Sequence, residues 1–112
     1  MESTRQQKIA RLIQKDLGII FQQQGHDLFM GAMITVTKVI VSKDLSVARI
    51  YLSLFATKSK KELLDKIRNH TKEIRYQLAV RIKNQLRIIP ELHFFEDDSL
   101  DYIDNIDHLL HV

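Results

Sequence analysis

The chain has 112 residues, of which 45% are hydrophobic and 28% are charged, and it contains no cysteine. This length fits one domain with its own apolar core, and the absence of thiols excludes disulfides and thiolate metal sites. The first ten residues are polar and charged, so we expect no signal peptide, and no apolar run approaches the roughly 20 residues of a membrane span. These features predict a soluble cytoplasmic protein with no membrane partner.

Charge is distributed unevenly along the chain. Residues 58–90 carry ten basic and three acidic side chains, whereas residues 91–112 carry seven acidic and no basic side chains. A basic segment of this density favours a polyanionic partner. Two solvent-exposed faces whose opposite charges cancel within the fold would give the same counts, and composition alone leaves that alternative open.

The first predicted element is a helix over residues 5–23. Apolar residues recur there at helical spacing and form one buried stripe. Lys8, Arg11 and Lys15 fall on an adjoining stripe. The helix is therefore expected to present a basic surface beside the core.

Two strands are predicted next, over residues 32–42 and 47–55. The first is rich in β-branched residues, the second alternates apolar and polar side chains, and a short polar turn joins them. Such alternation predicts a sheet with one face on the core and one face open. The apolar phase of the first strand slips near Thr37–Lys38, which indicates a β-bulge.

The following helical region begins at a capping box formed by Ser59 and Glu62 and extends to about Leu86. Its apolar stripe drifts, so that on a straight helix Arg81 would point into the core, where an unpaired charge is costly. A kink between Arg75 and Ala79, giving two helices, is the simplest solution.

Pro90 ends the helical region, and residues 91–96 predict a third strand. The element order is then α-β-β-α-kink-α-β, an α+β class in which a three-stranded sheet packs against helices on one face. We expect one domain over residues 1–97 and an acidic amphipathic tail over residues 98–112.

This order is that of a type II KH domain, and the chain resembles the ribosome-binding factor A family. Residues 41–53, VSKDLSVARIYLS, match the family pattern V-S-x-D-L-x-x-A-x-V-Y-x-S, with isoleucine for the second valine. Residues 87–99, RIIPELHFFEDDS, match R-x-x-P-E-L-x-F-x-x-D-x-S. The opening helix, residues 5–21, has the family's arrangement of basic and apolar positions.

The resemblance implies an RNA-binding domain without the G-x-x-G loop of ordinary KH domains. It places an interhelical kink at Tyr76, Gln77, Leu78 and Ala79, where Ala79 replaces a glycine common in the family. It implies binding to the immature small (30S) ribosomal subunit and its 16S rRNA, support of rRNA end processing, and growth in the cold.

Eight basic residues are the candidate RNA ligands. They lie on the first helix and around the proposed kink: Lys8, Arg11, Lys15, Lys72, Arg75, Arg81, Lys83 and Arg87. When basic side chains contact several phosphates, the counterions condensed on the RNA are released, and this release favours binding. A basic surface of this kind can therefore bind RNA in general. Our hypothesis is that all eight form one surface, whereas scattered solubilising residues are the alternative.

Aromatic side chains offer a second kind of RNA contact. Phe94 and Phe95 are neighbours on one strand, so one should point inward and the other outward, and Tyr51 lies on the outer face of its strand. Either outward ring could stack on a base or simply pack against its neighbours, and the sequence leaves both possibilities open.

An enzyme is not predicted, because no phosphate-binding loop, dinucleotide fingerprint or nucleophile elbow is present. We expect no cofactor, no small-molecule substrate and no metal, although His108 and His111 lie at ligand spacing from Asp104 and Asp107. We expect a monomer. Two alternatives stay open: a protein-interaction module that uses the open sheet face and the acidic tail, and a metal-dependent nuclease.

Overall fold

The computed structural model describes residues 2–24, 29, 31–55, 57 and 59–97. Its elements are helix α1 (Thr4–Gln24), strands β1 (Met33–Val41) and β2 (Val47–Phe55), helices α2 (Lys60–Asn69) and α3 (Thr71–Ile82), and strand β3 (Glu91–Glu96). The α+β class and the element order expected from the sequence are confirmed. The predicted tail, residues 98–112, lies outside the described residues, so the division into domain and tail stays a prediction.

The three strands form one mixed sheet in the order β1-β2-β3. β1 and β2 pair as an antiparallel hairpin, and β3 pairs in parallel with β2. A parallel pair needs a crossover connection, which α2 and α3 provide. The register of β1 against β2 shifts between Val36 and Lys38, and Thr37 is the extra residue. The predicted bulge is therefore confirmed.

Asp44 organises the turn of the hairpin. Its Oδ1 accepts hydrogen bonds from the hydroxyls of Ser42 and Ser46, each at 2.7 Å, and from the Ser46 backbone N–H at 3.1 Å. The Ser46 and Ser42 hydroxyls favour the charged carboxylate and lower the pKa of Asp44 from 3.8 to about 2. Leu45 lies in the left-handed region with φ of 65°, and its side chain packs against the core. That packing offsets the backbone strain.

The core lies between the helices and one face of the sheet. The buried side chains that fill it come from every helix and strand, and the largest include Phe21, Phe94, Ile13, Leu17, Ile50, Leu52, Ile67, Ile74, Leu78 and Ile82. Strand residues that alternate with the buried ones point away from the helices. The sheet therefore has one face covered by helices, and no described helix packs on its other face, where Ser53 of β2 is nevertheless buried. None of the described helices is both long enough and apolar enough to span a membrane.

The break between the second and third helices lies at His70, so the predicted kink at Tyr76, Gln77, Leu78 and Ala79 is wrong in position. Those four residues lie inside the continuous helix α3. At His70 the backbone departs from helical geometry, with φ of −103° and ψ of 12°. The His70 N–H donates to the carbonyls of Lys66 and Ile67, and the Thr71 hydroxyl donates to the Arg68 carbonyl. These bonds satisfy the end of α2.

The apolar pattern could not locate this break. Ile67 and Ile74 are separated by nearly two full turns, so they are in phase even though the helix is interrupted between them. Within α3 the buried residues Ile74, Leu78 and Ile82 follow one another at four-residue steps, each of which rotates the stripe by about 40°. The drift that suggested a kink is therefore a slanted stripe on one continuous helix.

Candidate nucleic-acid interface

The first basic cluster lies on α1. Lys8, Arg11 and Lys15 are exposed, and their spacing of three and four residues places them on one stripe. The opposite stripe, which includes the fully buried Ile13 and Leu17, packs on the sheet. The three cations therefore lie on the side of α1 opposite the core, rather than beside it as the sequence predicted.

The second basic cluster lies on α3 and on the loop after it. Lys72, Arg75, Lys83 and Arg87 are exposed. Arg75 also has a structural contact, since its Nε donates to the Pro90 carbonyl at 3.1 Å and its Nη2 to the Ile89 carbonyl at 2.6 Å. Its guanidinium thus fastens the loop before β3 to α3 while its remaining donors stay available.

Arg81 joins the two helices. Its Nε lies 2.9 Å from Oδ1 of Asp16 on α1, and Asp16 is only 8% exposed. A carboxylate in that position needs a partner, because burial without one is costly. On a straight α3, therefore, Arg81 points neither into the core nor freely into solvent, but lies at the edge of the core and neutralises Asp16.

The two clusters lie on the same side of the molecule. Besides the Arg81–Asp16 pair, Gln24 on α1 donates from Nε2 to Oε1 of Gln77 on α3 at 3.0 Å. Both helices bury one stripe against the same face of the sheet, so both exposed stripes point away from it. We call the exposed stripes of α1 and α3, with Lys83 at the C-cap of α3, the helical face; the basic residues that we consider there are Lys8, Arg11, Lys15, Lys72 and Lys83.

An exposed ring that the sequence reasoning missed lies within the helical face. Tyr76 is 70% exposed, and Val80, one turn later, is 53% exposed. Tyr76 lines a shallow cleft of about 310 Å³ together with Lys72, Arg75 and other residues. Its position two residues after Ile74 and two before Leu78, both buried, was the signal that it points outward, but the residue had been assigned to a kink.

The described histidines give no support for a metal site. His70 is partly buried, and its ring meets Phe29 edge to face at 6.3 Å. His93 lies 3.5 Å from Glu91. No group of three or more ligating side chains occurs within residues 2–24, 29, 31–55, 57 and 59–97. The candidate cluster of His108, His111, Asp104 and Asp107 lies outside those residues.

A three-stranded sheet with helices on one face, in the order α-β-β-α-α-β, defines an α+β domain of the type II KH kind. Residues 5–110 match the family model for ribosome-binding factor A, and the chain belongs to that family.

Individual relatives agree with this assignment. The ribosome-binding factor A of Cytophaga hutchinsonii is 47% identical over 110 residues, which cover 98% of this chain and 83% of that protein. The Flavobacterium johnsoniae protein of the same name is 47% identical over 111 residues, which cover 98% and 85%. In the crystal structure of the Thermus thermophilus factor, 94% of that chain matches 81% of this one with a TM-score of 0.67 at 22% identity, which supports the fold.

Proposed function

We propose that this protein binds the immature small (30S) ribosomal subunit through its 16S rRNA and assists the maturation and end processing of that RNA without catalysing a reaction. The observation that supports the proposal is the helical face, where two helices in contact, α1 and α3, both carry exposed cations. Cations distributed over a surface of this kind match the spaced charges of an RNA backbone.

A relative's assembly supports the choice of partner. Coordinates of the Thermus thermophilus factor, fitted into a cryo-electron microscopy map of its 30S complex, match 78% of this chain and 89% of that one. The TM-score is 0.62 at 25% identity. On this proposal the protein works in the cytoplasm as a monomer that holds an RNA conformation while other proteins cut, and no cofactor takes part.

Co-sedimentation with purified small subunits at about 50 mM and about 200 mM salt tests the proposal. Several phosphate contacts make the affinity fall by orders of magnitude over this range. The variant Arg11→Glu/Lys83→Glu reverses one exposed cation on each helix, avoids the structural contacts of Arg75 and Arg81, and is expected to lose at least about tenfold in affinity at low salt.

The matched control is Lys61→Glu/Lys66→Glu, which makes the same charge change on α2, outside the helical face. Its affinity for small subunits is expected to stay within about threefold of the wild-type affinity, because the substitutions reduce only the long-range electrostatic attraction to RNA. An equal loss of affinity in the two double variants would contradict an RNA-binding surface confined to the helical face. Salt-insensitive binding would favour a protein contact, and no binding by the wild type would remove the assignment.

A further inference from the structure

The open face of the sheet carries a second set of aromatic and basic residues, unrelated to the helical face. In the register of the sheet, Lys38 of β1 pairs with Tyr51 of β2, which pairs with Phe95 of β3. Tyr51 lies between two buried residues, and Lys38 and Phe95, its partners across the sheet, each have one buried neighbour, so all three side chains point away from the helices. As sequence reasoning required, Phe94 points inward and is 2% exposed, while Phe95 points outward.

The two rings in this row form a platform. Tyr51 and Phe95 are stacked, with centroids 5.5 Å apart and planes inclined by 29°. Both are partly exposed. Because the two rings cover one face of each other, Phe95 supports the ring of Tyr51 from behind, and the face of Tyr51 turned away from Phe95 is the one that a ligand can reach.

An arginine closes the row beyond β3. The guanidinium of Arg68, which extends from α2, lies 5.9 Å from the centroid of Phe95. Its Nε and Nη2 both donate to the Phe94 carbonyl, at 3.1 and 2.8 Å, which fixes the group in place. Arginine has five N–H donors, so three are left for a ligand. Lys38 at one end and Arg68 at the other thus flank the ring pair with positive charge.

The surrounding charges also favour an anionic ligand. Arg49 lies in the adjacent row, is exposed and pairs with His93 of β3. Two described carboxylates lie near this face: Glu91 Oε1 is 3.5 Å from His93 Nε2, and Asp97 accepts a hydrogen bond from the Thr37 hydroxyl at 2.7 Å. The cations Lys38, Arg49 and Arg68 thus outnumber these two carboxylates.

From this arrangement we infer that the open sheet face is a second RNA site, which binds unpaired nucleotides by stacking a base on the face of Tyr51 that is turned away from Phe95 and holding the adjoining phosphates with Lys38 and Arg68. Sheet-borne aromatic rings bind splayed-out bases, whereas paired bases inside a duplex cannot reach such a platform. Cations at both ends of the rings match a phosphate on each side of a stacked base. The site lies on the face of the sheet opposite the helical face and goes beyond the proposed function.

The test measures binding of the full chain to a fluorescein-labelled single-stranded RNA of eight uridines by fluorescence anisotropy. The variant Tyr51→Leu/Phe95→Leu keeps apolar side chains on the sheet and removes both π-faces. Loss of the stacked base is expected to weaken binding by about 10- to 100-fold. An abasic ribose-phosphate strand of the same length is expected to bind the variant and the wild type equally.

Tyr76→Leu is the matched control, because it removes an exposed ring from the helical face. It is expected to change the oligouridine affinity by less than about threefold. Lys38→Gln serves as a variant with minimal risk to folding, and it should lower the slope of log affinity against log salt by about 0.7. Affinity of the leucine double variant within twofold of the wild type would overturn the inference, as would an equal loss for the abasic strand.

Photo-crosslinking gives an independent readout. A 4-thiouridine strand irradiated with the wild-type protein should yield adducts in peptides that contain Tyr51 or Phe95. Adducts confined to peptides of α1 and α3 would overturn the inference. If the leucine variant retained its RNA affinity but lost binding to small subunits, the face would bind a protein, and the RNA assignment would also be wrong.

Discussion

Arg75 and Arg81 look alike in the sequence, as basic residues near a supposed kink, yet both use their guanidinium groups on atoms of this chain. Arg75 holds two loop carbonyls, and Arg81 neutralises Asp16. Lys72 and Lys83 on the same helix are exposed lysines, whose compact charges suit phosphate contacts. Charge reversal at the arginines would therefore mix two effects, loss of an RNA contact and damage to the fold.

Arg81→Met is expected to destabilise the protein by about 1–2 kcal/mol, because it leaves the Asp16 carboxylate without its partner while one third of the arginine side chain is exposed to screening solvent. Urea denaturation followed by circular dichroism measures the change. Arg11→Met, an exposed position on the helix that carries Asp16, is the control and should stay within about 0.5 kcal/mol. If Arg81→Met and Arg11→Met lowered the free energy of unfolding by similar amounts, the ion pair would contribute nothing to stability.

Asp44 makes the stability of the hairpin turn depend on pH. Because the folded-state pKa is lowered from 3.8 to about 2, the hydrogen-bonded carboxylate stabilises the fold above the unfolded value and stops doing so as pH falls through about 2. Asp44→Ala should lower the melting temperature at pH 7, and its difference from the wild type should shrink between pH about 4 and about 2.

Asp44→Asn separates the charge from the turn geometry. The amide retains an acceptor oxygen but does not titrate in this range, so Asp44→Asn should melt above Asp44→Ala, and the difference in melting temperature between these two variants should not vary with pH. A constant difference between wild type and Asp44→Ala from pH 7 to pH 2 would show that the Ser42 and Ser46 hydrogen bonds do not favour the charged form.

At the scale of elements, the sequence predicted well wherever a short local pattern decides the structure. The alternation in β2 and the phase slip at Thr37 each translate directly into strand geometry, and both were confirmed. The predicted position of the helix break was wrong because the cause of the break is not a periodic pattern. His70 and Thr71 interrupt the helix through backbone geometry and a side-chain hydrogen bond, while Ile67 and Ile74 remain in phase across the gap.

Ala79→Gly tests the position of that break. In the interior of a continuous helix, glycine is less favourable than alanine by about 0.5–1 kcal/mol, because it loses more backbone freedom on folding. We expect this loss in urea denaturation, with little change in the slope of the transition. If a kink lay at this residue, glycine would be neutral or stabilising, and an unchanged or higher midpoint would contradict a straight α3.

At the scale of the whole molecule, the cations could be named from the sequence, but their arrangement could not. Lys15 and Lys83 come to one side only because α1 and α3 lie on the same face of the sheet, and contacts such as Gln24–Gln77 span 53 residues. The ring pair on the other face has the same origin, since Tyr51 and Phe95 meet through the parallel pairing of β2 and β3. Tertiary pairing of this kind is not encoded in local periodicity.

The parallel pairing of β2 and β3 also sets the order in which the chain can fold. The β1–β2 hairpin is local and can form as soon as Phe55 has been synthesised, but β2 gains its second neighbour only when Glu91–Glu96 follows. Until then one edge of β2 is an open template for pairing with another chain. Closing the long loop between these strands is therefore expected to be the slow step of folding, and the interval before it is when the nascent protein is most prone to aggregate.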